Sequence, residues 1–192
     1  MRHVCTVNRS RGLFLMSRAL DGYSAATLLT APKHAPLTVE LSAHGRSVRL
    51  AKRPGESAHH LLLKGLLWAC ALPLHPEAQC ELELGLRYRP DVVALGADGV
   101  TPCWWGECGS VKPSKLASLA STFPQAHIAV AKWGRSDLRG YASQLRGELA
   151  LPRTRTAPFS LVSFPDDSLD RFLTDEGELR VSFDDLDIVE LV

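Results

Sequence analysis

The feature that most constrains the fold is a turn-rich connection between two short apolar segments. The connection covers residues 96–102 and contains two glycines, an aspartate and a proline; the apolar segments flank it at residues 89–95 and 104–109. Such segments around such a connection predict a β-hairpin. With the turn centred on Gly99, antiparallel pairing places opposite each other those residues whose numbers add up to 198.

Each strand of this predicted hairpin carries one carboxylate, Asp91 in the first and Glu107 in the second. Their numbers add up to 198, so the register places them on one face with Cβ atoms about 5 Å apart. Two carboxylates that close repel each other unless a cation lies between them. The sequence therefore predicts a divalent-metal site here. The alternative is an ordinary surface role, in which Asp91 pairs with Arg87 or Arg89 and Glu107 faces solvent.

The composition is that of a single domain. The chain has 192 residues, of which 45% are hydrophobic and 22% are charged, which is enough for one core. No run of about 20 apolar residues occurs, so we expect no membrane span and no membrane partner. The five cysteines include no Cys-x-x-Cys pair, and Cys70 and Cys108 lie in apolar segments. That distribution is typical of a reducing compartment such as the cytoplasm and argues against a zinc site.

The net charge of +1 conceals a strong asymmetry. From Asp166 to the end there are ten acidic residues and two arginines, a local charge of −8, so residues 1–165 carry +9. A basic body favours an anionic partner such as nucleic acid, and Lys132, Arg135 and Arg139 suit phosphate contacts. Two alternatives stay open: the acidic tail folds over the basic face and neutralises it, or these cations lie on an ordinary solvated helix face.

Residues 1–35 are expected to be a flexible extension or a presequence. The first twenty residues contain four arginines and no acidic residue, which resembles an organellar targeting sequence. An upstream start codon with Met16 as the true start explains the same pattern, as does a flexible N-terminus. The sequence leaves these explanations open, and residues 36–192 are expected to form one domain.

The rest of the chain predicts an α/β protein. A first hairpin turns at His44 and Gly45, and Ser57 is a suitable N-cap for the apolar helix that follows. Residues 80–88 alternate with period two and predict a strand just before the carboxylate-bearing hairpin. The remaining predicted elements are a helix at residues 114–123 opened by Pro113, a central parallel strand at 127–133, a helix capped by Ser136, a strand at 159–164 and a C-terminal hairpin with strands at 178–183 and 187–192.

Two pairs of adjacent residues near the predicted hairpin invite a functional interpretation. Trp104 and Trp105 face opposite sides of a strand, so one is expected in the core. The other is expected to pack in the core or at an interface, with stacking on a base as the alternative. His59 and His60 begin a buried helix and are expected to be partly exposed structural residues.

The central order is therefore helix, three strands, helix and strand, with Pro90 and Asp91 on the second strand and Glu107 on the third. This order resembles the core of the PD-(D/E)XK nuclease superfamily, the restriction-endonuclease-like fold. The resemblance implies an α-β-β-β-α-β core at about residues 54–150, with a mixed central sheet flanked by helices. The N-terminal and C-terminal hairpins would be additions to that core.

A closer resemblance is to the YaeQ family within that superfamily. Residues 53–57 and the leucine-rich helix after them are similar to the family's His-Pro-Ser-Glu-Thr segment and its helix. Residues 105–109 are similar to its Trp-x-Glu-x-Gly strand, and Lys115 and residues 128–130 fall at the family's spacing. The resemblance covers roughly residues 37–150 and rests on the order and spacing of short motifs.

The resemblance implies a nuclease that hydrolyses phosphodiester bonds in DNA or RNA. Asp91, Glu107 and the main-chain carbonyl of Cys108 would bind Mg²⁺ or Mn²⁺, since such ions take oxygen ligands and keep several waters. Glu56 would add a ligand or orient water, although a carboxylate at that place also simply favours a helix N-terminus. Such a metal lowers the pKa of bound water and stabilises charge on phosphate.

The chain departs from the superfamily pattern at Gly109, where a typical member has a lysine two residues after the glutamate. That lysine positions the attacking water and offsets phosphate charge. Lys115, in the first turn of the next helix, is the first candidate to replace it, ahead of Lys132 and Lys112. If no lysine reaches the site, the expected function is nucleic-acid binding or protein interaction without cleavage.

Overall fold

The computed structural model describes residues 29–30, 35–149, 151–152 and 155–192, so most of the predicted extension at residues 1–35 lies outside it. The fold is α/β, with a six-stranded mixed sheet between helices and a separate two-stranded hairpin. The strands are β1 (Thr38–Ala43), β2 (Arg46–Ala51), β3 (Gln79–Cys80), β4 (Val92–Leu95), β5 (Pro102–Cys108), β6 (His127–Trp133), β7 (Phe159–Phe164) and β8 (Asp187–Glu190). The helices are α1 (Ala58–Ala71), α2 (Pro113–Thr122), α3 (Leu138–Glu148) and α4 (Ser168–Phe172), with a 3-10 turn at Phe183–Asp185.

The main sheet has the order β3-β4-β5-β6-β7-β8. Strands β5, β6 and β7 are parallel and are joined by α2 and α3, whereas β4 and β8 are antiparallel to their neighbours. The predictions of a mixed sheet and of a central parallel strand at residues 127–133 are confirmed. The described helices include none that is long and apolar enough to cross a bilayer.

Alternate strand residues face two separate cores. Helix α1 and the β1–β2 hairpin cover the face that carries Trp104, and α2 and α3 cover the face that carries Trp105. The two tryptophans are 1% and 0% exposed. Core packing is therefore confirmed for both, and neither is available to stack on a base, because each face of the sheet is covered by helices.

Helix α1 is buried on almost all sides, as its apolar sequence predicts. Ser57 caps it, since its side-chain oxygen accepts the N–H of His60 at 3.1 Å. Gly106 of β5 permits the close approach of the helix, because a Cβ there would lie 2.8 Å from Leu67 Cδ2. The first turn of α1 consequently reaches the carboxyl end of β5, where Gly109 lies against His60.

The predicted register of the carboxylate-bearing hairpin is confirmed. Val92 pairs with Gly106 and Val93 pairs with Trp105, and the numbers of each pair add up to 198. The register shifts by one residue next to the turn, where Leu95 pairs with Pro102. Asp91 lies immediately before β4 rather than inside it, and its N–H donates to the carbonyl of Gly106 at 3.2 Å. The hairpin therefore brings Asp91 beside the end of β5, where Glu107 is the penultimate residue.

Residues 80–88 do not form the predicted strand. Only β3 pairs with β4, and the segment after it makes no further strand in the described structure. Glu81 and Gly85 have φ angles of 54° and 66°, which interrupt an extended conformation. The apolar side chains that produced the alternation, such as Leu82 and Leu84, pack against the second core from an irregular loop.

The predicted C-terminal hairpin is also wrong. Strand β8 pairs with β7, not with residues 178–183. That segment instead forms isolated bridges, one between Ser42 and Glu178 and one between Leu173 and Leu179. Pairing with β7 satisfies backbone groups that would otherwise lie unpaired at an edge of the main sheet.

Candidate active site

The carboxylate of Asp91 is held from the α1 side of the sheet. Its Oδ1 lies 3.3 Å from His60 Nε2, and its Oδ2 accepts the N–H of Cys108 at 2.8 Å. Burial alone raises the pKa of Asp91, but the hydrogen bonds from His60 and Cys108 outweigh it and hold the pKa below its usual range. Asp91 therefore stays ionised, with a hydrogen-bond donor on each oxygen.

The carboxylate of Glu107 is held from the other side, by α2. Its Oε1 accepts the indole N–H of Trp105 at 2.8 Å, and its Oε2 lies 2.6 Å from Lys115 Nζ. Glu107 is only 3% exposed, and this burial raises its pKa although Lys115 and Trp105 partly offset the rise. The predicted approach of Lys115 to the end of the Glu107 strand is thus present.

Each of the two carboxylates has its own partner within the protein. Asp91 has its own partner in His60, and Glu107 has its own in Lys115. The surface alternative fails, because Glu107 is buried and Arg89 binds Glu81 O and Glu83 rather than Asp91.

Glu56 belongs to a buried ion cluster that sequence reasoning missed. Lys64 is 1% exposed, and its Nζ lies 2.5 Å from both Glu56 Oε1 and Glu81 Oε1. Burial by itself lowers the pKa of Lys64, but the two carboxylates outweigh it and raise the pKa. A lone lysine in a helix of leucines was the available signal, because a buried ammonium requires a counter-charge.

His60 connects this cluster to Asp91. Its Nε2 lies 3.4 Å from Glu56 Oε1 as well as 3.3 Å from Asp91 Oδ1. Glu56 and Asp91 therefore share the single N–H that Nε2 can donate. Glu56 also accepts the N–H of Arg53 at the entry to α1. His60 is more than the partly exposed structural residue that the sequence suggested.

Lys132 lies beside Gly109 at the carboxyl end of the parallel strands. Its Nζ donates to the carbonyl of Gly109 at 2.5 Å, and it lies 4.7 Å from the ring of Tyr141. Burial, with the nearby charge of Arg135, lowers the pKa of Lys132 to about 8. Both cations line an open cavity of about 600 Å³ between α1 and α3. Lys112, the weaker candidate for the lysine role, is an exposed residue at the start of α2.

The basic stretch from Lys132 onwards divides into two kinds of residue. Arg146 and Arg155 donate to main-chain carbonyls and so brace the fold. Arg135 and Arg139 are exposed and Lys132 is half-buried. No ion pair within the described part of the chain joins these three residues to the acidic tail. Arg153 lies outside the described residues.

The donors at Asp91 and Glu107 are of the kind that a magnesium or manganese ion takes. Carboxylate oxygens are the ligands that such ions take, and one or two carboxylates with water and substrate suffice for magnesium. Across the described ranges, however, no group of three or more histidine, cysteine, aspartate or glutamate side chains is arranged to hold a metal ion. An ion here would have two carboxylates as side-chain ligands, and it would compete with Lys115 for Glu107.

Comparison with known proteins bears on the fold. No protein-family model matches the chain, and no curated protein sequence is significantly similar to it. The solved structure of the YaeQ protein from Pseudomonas syringae is 15% identical, with a TM-score of 0.51 over 76% of this chain and 79% of that chain. The YaeQ protein from Xanthomonas axonopodis pv. citri is 17% identical, with a TM-score of 0.49 over 71% of this chain and 76% of that chain. At these identities the Pseudomonas likeness shows a shared fold.

Proposed function

We propose that this protein is a metal-dependent nuclease of the PD-(D/E)XK superfamily, of the YaeQ-like type, that hydrolyses phosphodiester bonds in DNA or RNA. The observation that carries the proposal is the placement of Asp91 and Glu107 at the carboxyl end of β5. The element order α1, β3, β4, β5, α2 and β6 supports a restriction-endonuclease-like core.

In this proposal Asp91, Glu107 and the carbonyl of Cys108 hold Mg²⁺ or Mn²⁺. When bound, the ion supplies an activated water and neutralises charge on the phosphate. His60 keeps Asp91 ionised and oriented, and Glu56 lies against the same imidazole nitrogen. Lys115 stands beside Glu107, where its ammonium orients the attacking water and offsets the developing charge.

Three cations beside the site recruit the substrate. Lys132 and Arg135 lie at the carboxyl ends of the parallel strands, and Arg139 lies on the adjoining helix α3. Their contacts would be with phosphates, which carry no sequence information directly. Binding should therefore weaken steeply with salt on any nucleic acid.

A second candidate function is nucleic-acid binding without cleavage. Gly109 leaves the usual lysine position empty, and the lysine that approaches Glu107 is paired with it at 2.6 Å. All four oxygens of Asp91 and Glu107 already have donors within the protein. A protein that binds no metal would also need such internal donors for its two carboxylates.

Cleavage assays decide between these functions. Single- and double-stranded DNA and RNA are incubated with the protein and Mg²⁺, Mn²⁺ or EDTA. The comparison uses Asp91→Asn, Glu107→Gln and, as a matched control, the exposed Glu83→Gln. Metal-dependent cleavage that is lost in the first two variants but kept in the control supports the nuclease.

The opposite results are equally clear. Undiminished cleavage in both site variants refutes this mechanism. No cleavage, together with salt-sensitive and metal-independent binding, favours the second function. Circular dichroism of each variant establishes that the fold is intact.

A further inference from the structure

A cavity between α1 and the start of α3 adjoins the candidate site. It has a volume of about 600 Å³, and it opens where β5 and β6 end and where both helices begin. The lining of the cavity includes His59, His60, Lys132, Trp133, Arg135 and Ser136. The carboxyl end of parallel strands is where open α/β sheets bind ligands.

Two side chains that are cationic at neutral pH converge on this cavity. Lys132 and Arg135 both pack on the ring of Tyr141, at 4.7 Å and 4.2 Å from its centroid. The shared ring holds the two side chains together despite their repulsion. Lys132 donates one proton to Gly109 O, so two of its three N–H donors remain for a ligand.

The single acidic side chain in the lining is already engaged. Asp137 caps α3, with its Oδ1 accepting the N–H of Gly140 at 2.8 Å, so the N-cap is this residue and not the predicted Ser136. Ser136 is left exposed at the cavity as a neutral donor. The lining thus offers cationic and hydroxyl donors, which is the chemistry that binds phosphate oxygens.

Gly109 keeps the floor of the cavity open. Its φ is +72°, and a Cβ there would lie 3.3 Å from His60 Nδ1. Cys108 pairs with Ala131 in the parallel β5–β6 ladder, so Lys132 is the residue beside Gly109 on the next strand. The cavity therefore adjoins Asp91 through His60 and Cys108, but it holds neither candidate metal ligand.

We propose that this cavity binds a phosphate monoester, held by Lys132 and Arg135. A monoester is close to a dianion at neutral pH and so matches two cations, whereas a phosphodiester carries one charge. The volume accommodates a nucleotide, so the phosphate belongs either to a free nucleotide or to the end of a nucleic-acid strand. This binding needs no metal and stands whether or not the protein cleaves nucleic acid.

The test measures binding to the full chain in EDTA, where metal-dependent cleavage cannot occur. The probes are inorganic phosphate, adenosine monophosphate, and a short oligothymidylate with either a 5′-phosphate or a 5′-hydroxyl. We expect phosphate to bind, and either the mononucleotide or the 5′-phosphorylated strand to bind at least about tenfold more tightly than the 5′-hydroxyl strand. Preference for the mononucleotide identifies a nucleotide ligand, and preference for the phosphorylated strand identifies a strand end.

Variants locate the site. Lys132→Gln and Arg135→Gln should each weaken phosphate binding about tenfold, because each loses a charge-assisted hydrogen bond. Arg49→Gln, an exposed change on β2 with the same loss of charge, should not. Arg135 is exposed, so its variant remains informative if Lys132→Gln unfolds.

Two results overturn the proposal. One is the absence of phosphate binding at tens of millimolar together with equal affinity for the two strands. The other is binding that Arg135→Gln leaves unchanged. Neither bears on cleavage through Asp91 and Glu107, which is assayed separately with metal present.

Discussion

Lys115 lies against Glu107, with 2.6 Å between Nζ and Oε2, and so joins the start of α2 to the end of β5. Glu107 is nearly inaccessible to solvent, so the cost of its charge is offset by that ammonium and by the indole N–H of Trp105. A divalent cation bound by Glu107 would compete with Lys115 for the same carboxylate. Lys115 therefore stabilises Glu107 in the absence of metal and would compete with a divalent cation for the same carboxylate.

Replacing Lys115 by methionine should destabilise the protein by about 2–3 kcal/mol at neutral pH, because a buried carboxylate loses its partner. Burial already raises the pKa of Glu107 in the folded protein. The free energy of unfolding therefore falls as pH rises above the pKa of glutamate in the unfolded chain. Without Lys115 the pKa rises further, so the loss should be larger at pH 8 than at pH 5. Urea unfolding at both pH values measures it, with Lys112→Met as the exposed control. An equal loss at both pH values would contradict the assigned pairing.

If the nuclease proposal is correct, Mn²⁺ should raise the melting temperature of the wild type in a concentration-dependent way. An ion at a hundred times its dissociation constant adds about 2.7 kcal/mol to the stability of a protein that binds it only when folded. Asp91→Asn and Glu107→Gln should abolish the shift, and Glu83→Gln should keep it. Equal shifts in all four proteins would place the ion elsewhere.

The Glu56–Lys64–Glu81 cluster predicts a non-additive mutant series. Lys64→Met should cost about 3–5 kcal/mol, because it leaves two carboxylates in contact with a buried position. Adding Glu56→Gln and Glu81→Gln should recover much of that loss. Chemical unfolding of the single, double and triple variants measures the coupling. Simple additivity would show that the cluster is not a unit.

Lys132 predicts a distinct alkaline dependence of stability. Its pKa in the folded protein is about 8, below the value of 10.5 for an unperturbed lysine, so the unfolded chain binds more protons between these values. The contribution of Lys132 to the free energy of unfolding should therefore rise as pH increases from about 8 towards 10.5. The free energy of unfolding of the wild type should gain on the order of 1 kcal/mol relative to Lys132→Met between pH 7.5 and pH 9.5, after allowing for partial solvent screening. A constant difference would mean that Lys132 titrates normally.

The sequence was most informative where local rules decide the structure. Glycine in a short connection determined the register of the β4–β5 hairpin, and with it the approach of Asp91 to the end of β5. Ser57 and Pro113 likewise marked the starts of their helices, because caps and first-turn prolines act over a few residues.

The remaining features depend on contacts that are distant in sequence. The alternation of residues 80–88 predicted a strand, but Glu81 turns to neutralise Lys64, a partner on another element. Whether β8 pairs with residues 178–183 or with β7 depends on the vacant edge of the sheet, which no local pattern reveals. The neighbourhood of Lys132 and Gly109 follows from the parallel β5–β6 register, which needs the crossover helix to be in place.

The bridge between Ser42 and Glu178 has a consequence for the order in which the protein can fold. The N–H of Ser42 donates to Gly177 O at 2.9 Å, and the N–H of Leu179 donates to Ser42 O at 2.7 Å. Leu179 belongs to the same core as α1, so a late segment of the chain completes a core that an early hairpin begins. During synthesis the apolar face of β1 and α1 therefore stays partly uncovered until the segment around Leu179 has left the ribosome.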